Sequence, residues 1–134
     1  DFTCGVRTTG ELYCWGINTY GQLGDGTTTE RTSPTRVGTA SNWQVAAAGD
    51  LHACATRTGG ALYCWALIMT GSGPLYSTPV QVGTDLGWDF INIGQMVGCA
   101  VRGTGELYCW GTNYYGELGT GDAWFENPAL MITP

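Results

Sequence analysis

The chain contains no lysine and only one histidine, and these shortages exclude several kinds of site. Its five basic residues are all arginines, and the formal net charge is −6 over 134 residues. Surfaces that bind DNA or RNA need clustered positive charge to displace counterions from phosphates, so the composition argues against nucleic acid as a partner. With His52 as the single histidine, the segment cannot by itself assemble a histidine-based triad or a histidine-rich metal site.

Signals for membrane insertion, N-glycosylation and zinc binding are missing as well. No apolar run approaches the roughly 20 residues that a membrane-spanning helix requires, so membrane insertion is not expected. None of the asparagines begins an Asn-x-Ser/Thr acceptor for N-glycosylation. No Cys-x2-Cys spacing is present, which disfavours zinc for the six cysteines.

A threefold internal repeat is what the sequence does contain. Residues 4–14, 54–64 and 99–109 each begin and end with cysteine, share the ending Leu-Tyr-Cys, and are followed directly by tryptophan. The first cysteines of the copies recur at intervals of 50 and 45 residues. A period of this length is typical of repeat architectures, in which each unit is one supersecondary element that is stabilised by its neighbours.

Each copy reads as an antiparallel hairpin with a three-residue loop. In the first copy Cys4 faces Cys14 and Gly5 faces Tyr13, and the loop ends at Gly10, as expected for a type I turn followed by a left-handed residue. Cysteines that face each other on neighbouring strands are close enough to form a disulfide. The register therefore predicts three bridges, with six buried thiols as the alternative. The predicted pairs are Cys4 with Cys14, Cys54 with Cys64, and Cys99 with Cys109.

The segments between the hairpins complete a four-stranded unit. A glycine-rich turn follows the hairpin, then an extended segment that begins at a proline (Pro34, Pro79 and Pro128), and then a strand that begins at a tryptophan (Trp43 and Trp88). Four short strands per unit without helical periodicity indicate an all-β fold made of β-propeller blades, each with four antiparallel strands. We expect three consecutive units in one domain, at residues 1–50, 51–96 and 97–134, the last incomplete. One tryptophan-led strand is missing and would precede Asp1, so we expect a piece of a longer propeller.

The residues 46–55, Ala-Ala-Ala-Gly-Asp-Leu-His-Ala-Cys-Ala, together with the Trp-Gly-x-Asn-x-Tyr-Gly-x-Leu-Gly stretch, resemble the regulator of chromosome condensation repeat. In that family the repeats form a seven-bladed propeller, and paired cysteines are similar to those of its secreted or cell-surface members. The resemblance implies a non-enzymatic binding or scaffolding module, extracellular or at the cell surface, without a cofactor, a metal or catalytic residues. Its partners would be a protein or glycan and the remaining blades of the same propeller.

Two other functions stay open on the same resemblance. One is guanine-nucleotide exchange on a small GTPase, as in the founder of the family, and the other is inhibition of an enzyme by a secreted propeller. Free-thiol titration separates the exchange factor from the secreted forms, because a secreted form should have no free thiols. A hydrolase with paired carboxylates is a third class, but nothing in the sequence clusters such residues.

Binding residues are expected where the copies disagree or expose aromatic side chains. The second copy replaces the glycine-asparagine turn by the shortened apolar stretch 66–73, which is either a neutral deletion or a contact patch. The loop aromatics either bind a partner or pack between blades. The candidate partner-binding residues are Ala66, Leu67, Ile68, Met69, Tyr20, Tyr114, Tyr115, Trp124 and Phe125.

Two polar positions have mainly structural interpretations. His52 is expected to be a hydrogen-bonded structural histidine, because it follows the small-residue strand at the position of the family's structural histidine. Asp25 lies in a glycine-rich turn, where aspartate commonly caps its own backbone. A calcium site formed by Asp25, Thr27 and Glu30 is conceivable, although the EF-hand spacing is absent.

Overall fold

The computed structural model describes residues 1–67 and 75–121, and every regular element within them is a β-strand. None of the described residues forms a helix that could cross a membrane. The ten strands are β1 (Phe2–Val6), β2 (Leu12–Gly16), β3 (Arg31–Arg36), β4 (Trp43–Ala48), β5 (His52–Arg57), β6 (Leu62–Ala66), β7 (Tyr76–Gln81), β8 (Trp88–Ile93), β9 (Val97–Arg102) and β10 (Leu107–Gly111).

The strands form three consecutive antiparallel sheets. The first has the order β1-β2-β3, the second β4-β5-β6-β7, and the third β8-β9-β10. The all-β prediction is confirmed, and the second sheet has the four strands expected of a blade. The first and third sheets have three strands each within the described residues. The expected segment after Pro128 lies outside the described residues.

The hairpin register is the one that the sequence predicts. Cys4 pairs with Cys14 and Gly5 with Tyr13, and the same pairing recurs in the other two copies. Gly10 closes the first turn with a φ of 87°, and its N–H donates to the carbonyl oxygen of Arg7 at 2.8 Å. All three predicted disulfides are formed, each between opposed residues whose Cα atoms are 4.0–4.2 Å apart.

The prolines differ from the prediction in their position within the strands. Pro34 and Pro79 were expected to begin their strands, but β3 begins at Arg31 and β7 at Tyr76. Both strands lie at the edge of their sheets, and both have a bulge where the prolines lie. An edge strand with a bulge needs no ladder donor at this point, so it accepts proline in its interior.

The second sheet is buried on both faces because successive side chains of its strands point to opposite neighbours. One face packs against the first sheet, and its fully buried members are Ala53, Ala55 and Trp65. The opposite face packs against the third sheet, and its buried members are Cys54, Leu62 and Cys64. The prediction that the hairpin sheets are sandwiched between neighbours is therefore confirmed for the second copy.

Backbone hydrogen bonds join the first and second hairpin turns to the sheet that follows each of them. The N–H of Trp43 donates to the carbonyl oxygen of Gly10 at 3.0 Å, and the N–H of Trp88 donates to that of Gly60 at 3.1 Å. At Gly60 a Cβ atom would lie 2.3 Å from the nitrogen of Gly87, whereas the equivalent Gly105 has open space. The glycine at this turn therefore permits the close approach of the following sheet.

The sequence units and the sheets have different boundaries. The tryptophan-led strand β4 lies within residues 1–50 but pairs with β5 in the second sheet. In the same way β8 lies within residues 51–96 but pairs with β9 in the third sheet. Each of the first two sequence units thus contributes strands to two sheets. The unit limits themselves stay a prediction about the repeat in the sequence.

Candidate partner-binding surfaces

The turns and loops of the three sheets lie at two opposite rims. The loop rim contains the glycine-rich loops that follow β2 and β10 (residues 17–30 and 112–121) and the short turns before β5 and β9. The hairpin rim contains the hairpin turns and the loops that lead into β4 and β8 (residues 37–42 and 82–87). Because sheets support both rims, side chains there are held on a rigid scaffold, which is where repeat folds present their binding residues.

A buried asparagine organises the first glycine-rich loop. The Nδ2 group of Asn18 donates to the carbonyl oxygens of Thr27 and Thr29, both at 3.0 Å, and its Oδ1 accepts from the N–H of Leu23 at 2.9 Å. The equivalent Asn113 accepts from the N–H of Leu118 at 3.0 Å. These bonds replace the ladder contacts that a loop cannot make, and they fix the loop in one conformation.

The loop rim exposes three of the predicted aromatic residues. Tyr20 is 43% exposed, Tyr114 58% and Tyr115 92%. Tyr20 and Tyr115 occupy equivalent positions, and the N–H of each donates to the side chain two residues ahead, at 2.7 Å to Gln22 and 2.8 Å to Glu117. The loops therefore present a tyrosine at the same place in two copies. Its role in binding remains a prediction.

The apolar turn of the second copy is only partly within the described residues. Ala66 is fully buried, with a φ of 68°, at the position occupied by Gly16 and Gly111 in the other copies. Its methyl group belongs to the core between the first two sheets, so Ala66 offers no surface to a partner. Leu67 is half-buried. The predicted contacts Ile68, Met69, Trp124 and Phe125 lie outside the described residues.

Asp25 is engaged by protein groups rather than left free for a cation. Its Oδ2 pairs with the Arg31 guanidinium at 2.8 Å, and its Oδ1 accepts from the N–H of Thr27 at 2.9 Å and the hydroxyl of Thr27 at 2.6 Å. Partial burial acts to raise the pKa of Asp25, but these hydrogen bonds and the guanidinium outweigh it and lower the pKa. Within residues 1–67 and 75–121, no group of three potential metal ligands is found.

His52 is fully buried, but it lacks the hydrogen bonds that the sequence analysis predicts. Its side chain is 0% exposed, and neither ring nitrogen has a partner within the part of the chain that the structure describes. Burial lowers the pKa of His52 from 6.5 to about 4. The imidazole is therefore neutral at pH 7, which makes it a core residue rather than a proton donor or acceptor for chemistry.

We expect the chain to lose stability as the pH falls from 6.5 to 4, in part because of His52. The unfolded histidine takes up a proton in this range while the folded one does not, so the free energy of unfolding falls by about 3 kcal/mol across the window. Urea unfolding of the wild type and His52→Phe at pH 7, 5.5 and 4 tests this, since the carboxylates titrate in both. Identical pH dependences of the two proteins would contradict the assignment.

A cluster of one arginine with a tryptophan and a tyrosine occurs at the hairpin rim, and it was not predicted from the sequence. The Arg57 guanidinium lies 4.3 Å from the ring centroids of both Trp43 and Tyr63. In the third copy, Arg102 lies 5.5 Å from Trp88 and 5.6 Å from Tyr108. The signal was available as an arginine before each turn, but the tryptophan that completes the cluster comes from the preceding sequence unit. We refer to Trp43, Arg57 and Tyr63 as the second-copy clamp.

Comparisons with known proteins agree with this architecture. Residues 9–56 match the family model of the Regulator of chromosome condensation (RCC1) repeat. A comparison with curated protein sequences gives no significant match.

Solved structures show the same fold at low sequence identity. The chain superimposes on human WBSCR16 with a TM-score of 0.83 and 23% identity, over 100% of this chain and 36% of that one. It superimposes on Prp20p of Saccharomyces cerevisiae with a TM-score of 0.79 and 23% identity, over 96% of this chain and 34% of that one. It superimposes on the ectodomain of the Physcomitrella patens receptor kinase CR4 with a TM-score of 0.56 and 23% identity, over 84% of this chain and 28% of that one.

The chain thus spans about a third of the length of WBSCR16 and of Prp20p. The family match in residues 9–56 and the threefold recurrence of the hairpin agree with one another. The neighbours extend the same architecture over the whole chain. The chain therefore matches the regulator of chromosome condensation repeat in residues 9–56, has one disulfide in each of its three hairpin copies, and has the fold of consecutive blades of an RCC1-like β-propeller.

Proposed function

We propose that this segment is a non-enzymatic protein-binding module of an extracellular or cell-surface propeller. The observation that carries the proposal is the loop rim, where Tyr20 and Tyr115 project from loops fixed by buried hydrogen bonds. Exposed tyrosines on a rigid scaffold supply large contact areas at little entropic cost, which is typical of binding residues. A protein partner fits this rim. A glycan is the other ligand that the tyrosine rings suit, because they can stack on it.

Two further features support the location and the absence of catalysis. Three intramolecular disulfides leave no free cysteine, and such bridges persist in oxidising compartments. The CR4 ectodomain has a similar fold, so this fold occurs in at least one ectodomain. The single histidine is fully buried, so the residue that most often acts as a general base cannot reach a substrate here.

Binding at the loop rim is tested by substituting its tyrosines. Photo-crosslinking of the chain to cell-surface and secreted proteins should identify a partner, whose affinity is then measured with purified components. We expect the Tyr20→Ser, Tyr115→Ser double variant to bind at least about tenfold more weakly, as for the loss of interface hot spots. Phe90→Ser removes a 75% exposed ring from the middle of β8, away from both rims, so it is the matched control and should bind normally. Equal affinity of all three proteins would refute a binding role of the loop rim.

A second candidate is regulation of a small GTPase by nucleotide exchange. The likeness to Prp20p favours it, because that structure was described together with binding to Gsp1p and histones. The two proposals differ in the state of the cysteines. Thiol titration of the protein from its native source should find no free thiol for the extracellular module, whereas six free thiols would favour the exchange factor. An inhibitor of a secreted enzyme is a special case of the first proposal.

A further inference from the structure

The second-copy clamp is an arginine held between two aromatic rings, and no acidic partner for it is found among residues 1–67 and 75–121. Apart from its ring contacts, the Arg57 side chain makes one hydrogen bond within the described residues, from Nη1 to the hydroxyl of Tyr63 at 3.4 Å. The Nε group of Arg57 is buried and has no acceptor in the same part of the chain. Because Nε is closed to solvent, a ligand would reach Arg57 through the accessible part of its half-buried guanidinium, which has no carboxylate partner among the described residues.

The equivalent arginine of the third copy, Arg102, has the acidic partners that Arg57 lacks within the described part of the chain. Arg102 pairs with Asp85 at 3.5 Å and with Glu106 at 3.6 Å. The positions that correspond to these carboxylates in the second copy are Ala40 and Ala61. The same framework of tryptophan, arginine and tyrosine is therefore occupied by carboxylates in one copy and empty of them in the other.

We propose that the second-copy clamp binds a carboxylate side chain from an acidic segment of a protein partner. The planar guanidinium presents several N–H donors in a fixed fork that matches a carboxylate. Stacking on Trp43 and Tyr63 orients this fork before the ligand arrives, so little side-chain entropy is lost on binding. The inference deepens the proposed protein-binding function, on which it rests, by naming a second contact and its chemistry.

Apolar surface beside the clamp favours a peptide segment over a sugar. Val82 is 40% exposed. It follows Gln81, whose Oε1 accepts from the Tyr63 hydroxyl at 3.3 Å. An acidic side chain flanked by leucine-like residues complements this combination of one cation and apolar contacts.

The net charge of −6 does not prevent such binding. The acidic Asp85 of the neighbouring loop is paired with Arg102, and charges farther than about 8 Å are screened at physiological ionic strength. Local hydrogen bonding at Arg57, rather than the overall charge, therefore decides whether a single carboxylate is accepted.

The test follows the Nε–H signals of the arginines by NMR in the full chain. The probe is the peptide acetyl-Leu-Glu-Leu-amide, and its isosteric control is acetyl-Leu-Gln-Leu-amide. We expect the Glu peptide to shift the Arg57 signal in a saturable manner, with an affinity about tenfold above that of the Gln peptide, as for a charge-assisted hydrogen bond. Equal effects of both peptides, or a stronger response to a sulfated disaccharide than to the Glu peptide, would overturn the proposal.

Substitutions copied between the repeats provide matched controls. Ala61→Glu introduces the carboxylate found at Glu106 in the third copy and should abolish the response of Arg57, whereas Ala61→Gln should retain it. The double variant Asp85→Asn, Glu106→Gln should make the Arg102 signal respond. An unchanged Arg57 response in Ala61→Glu would refute the site. If the protein partner of the loop rim binds the Ala61→Glu variant as tightly as the wild type, the clamp proposal fails, whereas the proposed function stands.

Discussion

Replacing Cys54 and Cys64 together by serine is expected to destabilise the folded chain by about 4–5 kcal/mol. Loss of a bridge that closes a loop of this length contributes about 3 kcal/mol through the entropy of the unfolded chain. Both sulfur positions are almost fully buried, at 0% and 1% exposure, so the two serine hydroxyls add about 1–2 kcal/mol of uncompensated polarity. Urea unfolding followed by tryptophan fluorescence measures the change.

The first copy provides the control for this experiment. Its bridge between Cys4 and Cys14 spans the same 10 positions in sequence as the one between Cys54 and Cys64, but Cys4 is only half-buried. Cys14 is fully buried, so only one of the two hydroxyls lacks solvent, and the double serine variant of this pair should cost less, about 3–4 kcal/mol. Alanine in place of serine should bring the two costs closer together. Equal costs with serine would contradict the role that burial has in the second copy.

Trp65→Ala is expected to cost about 4–5 kcal/mol, because it removes a fully buried ring between two sheets. Trp65 is 0% exposed, and its Nε1 donates to the carbonyl oxygen of Gln22 in the first glycine-rich loop at 2.8 Å. Gly24 of the same loop lies directly against the indole. The substitution therefore leaves both a cavity and an unpaired carbonyl, and it releases the loop that carries Tyr20.

The equivalent Trp15 is the matched control, since it is only half-buried and lies on the open face of the first sheet. We expect Trp15→Ala to cost about 1–2 kcal/mol. Hydrogen exchange should also separate the variants, because the N–H groups of Leu23 and Gly24 should lose protection only in Trp65→Ala. Retained protection there would show that the loop does not depend on the indole for its conformation.

Features of the fold that depend on neighbouring residues were predictable from the sequence. The register of Cys4 with Cys14, the turn glycine Gly10 and the strand start at Trp43 all follow from patterns within a few residues, and three copies report the same geometry. The interior position of Pro34 was not predictable, because the bulge that permits it is a property of the pairing between two strands.

The candidate sites were harder to predict, for the same physical reason. The clamp around Arg57 joins Trp43 from one sequence unit to Tyr63 of the next, so no local pattern shows it. The exposure of Tyr115 was predictable from its place in a loop, whereas the burial of Ala66 was not, because it results from a left-handed backbone at a position that is glycine in the other copies. A structural role of His52 was expected with hydrogen bonds, but its lack of partners depends on the surroundings that packing creates.

Because each of the first two sequence units supplies strands to two sheets, such a chain can change its length without exposing a new edge. Duplication of one whole unit, about one interval between the cysteines, would add a tryptophan-led strand to the following sheet and a hairpin to its own. Every inserted strand would find the partner that its predecessor had, since β4 and β8 make the same pairing with β5 and β9. Recombination within the repeats would therefore tend to yield chains with more or fewer blades that still fold.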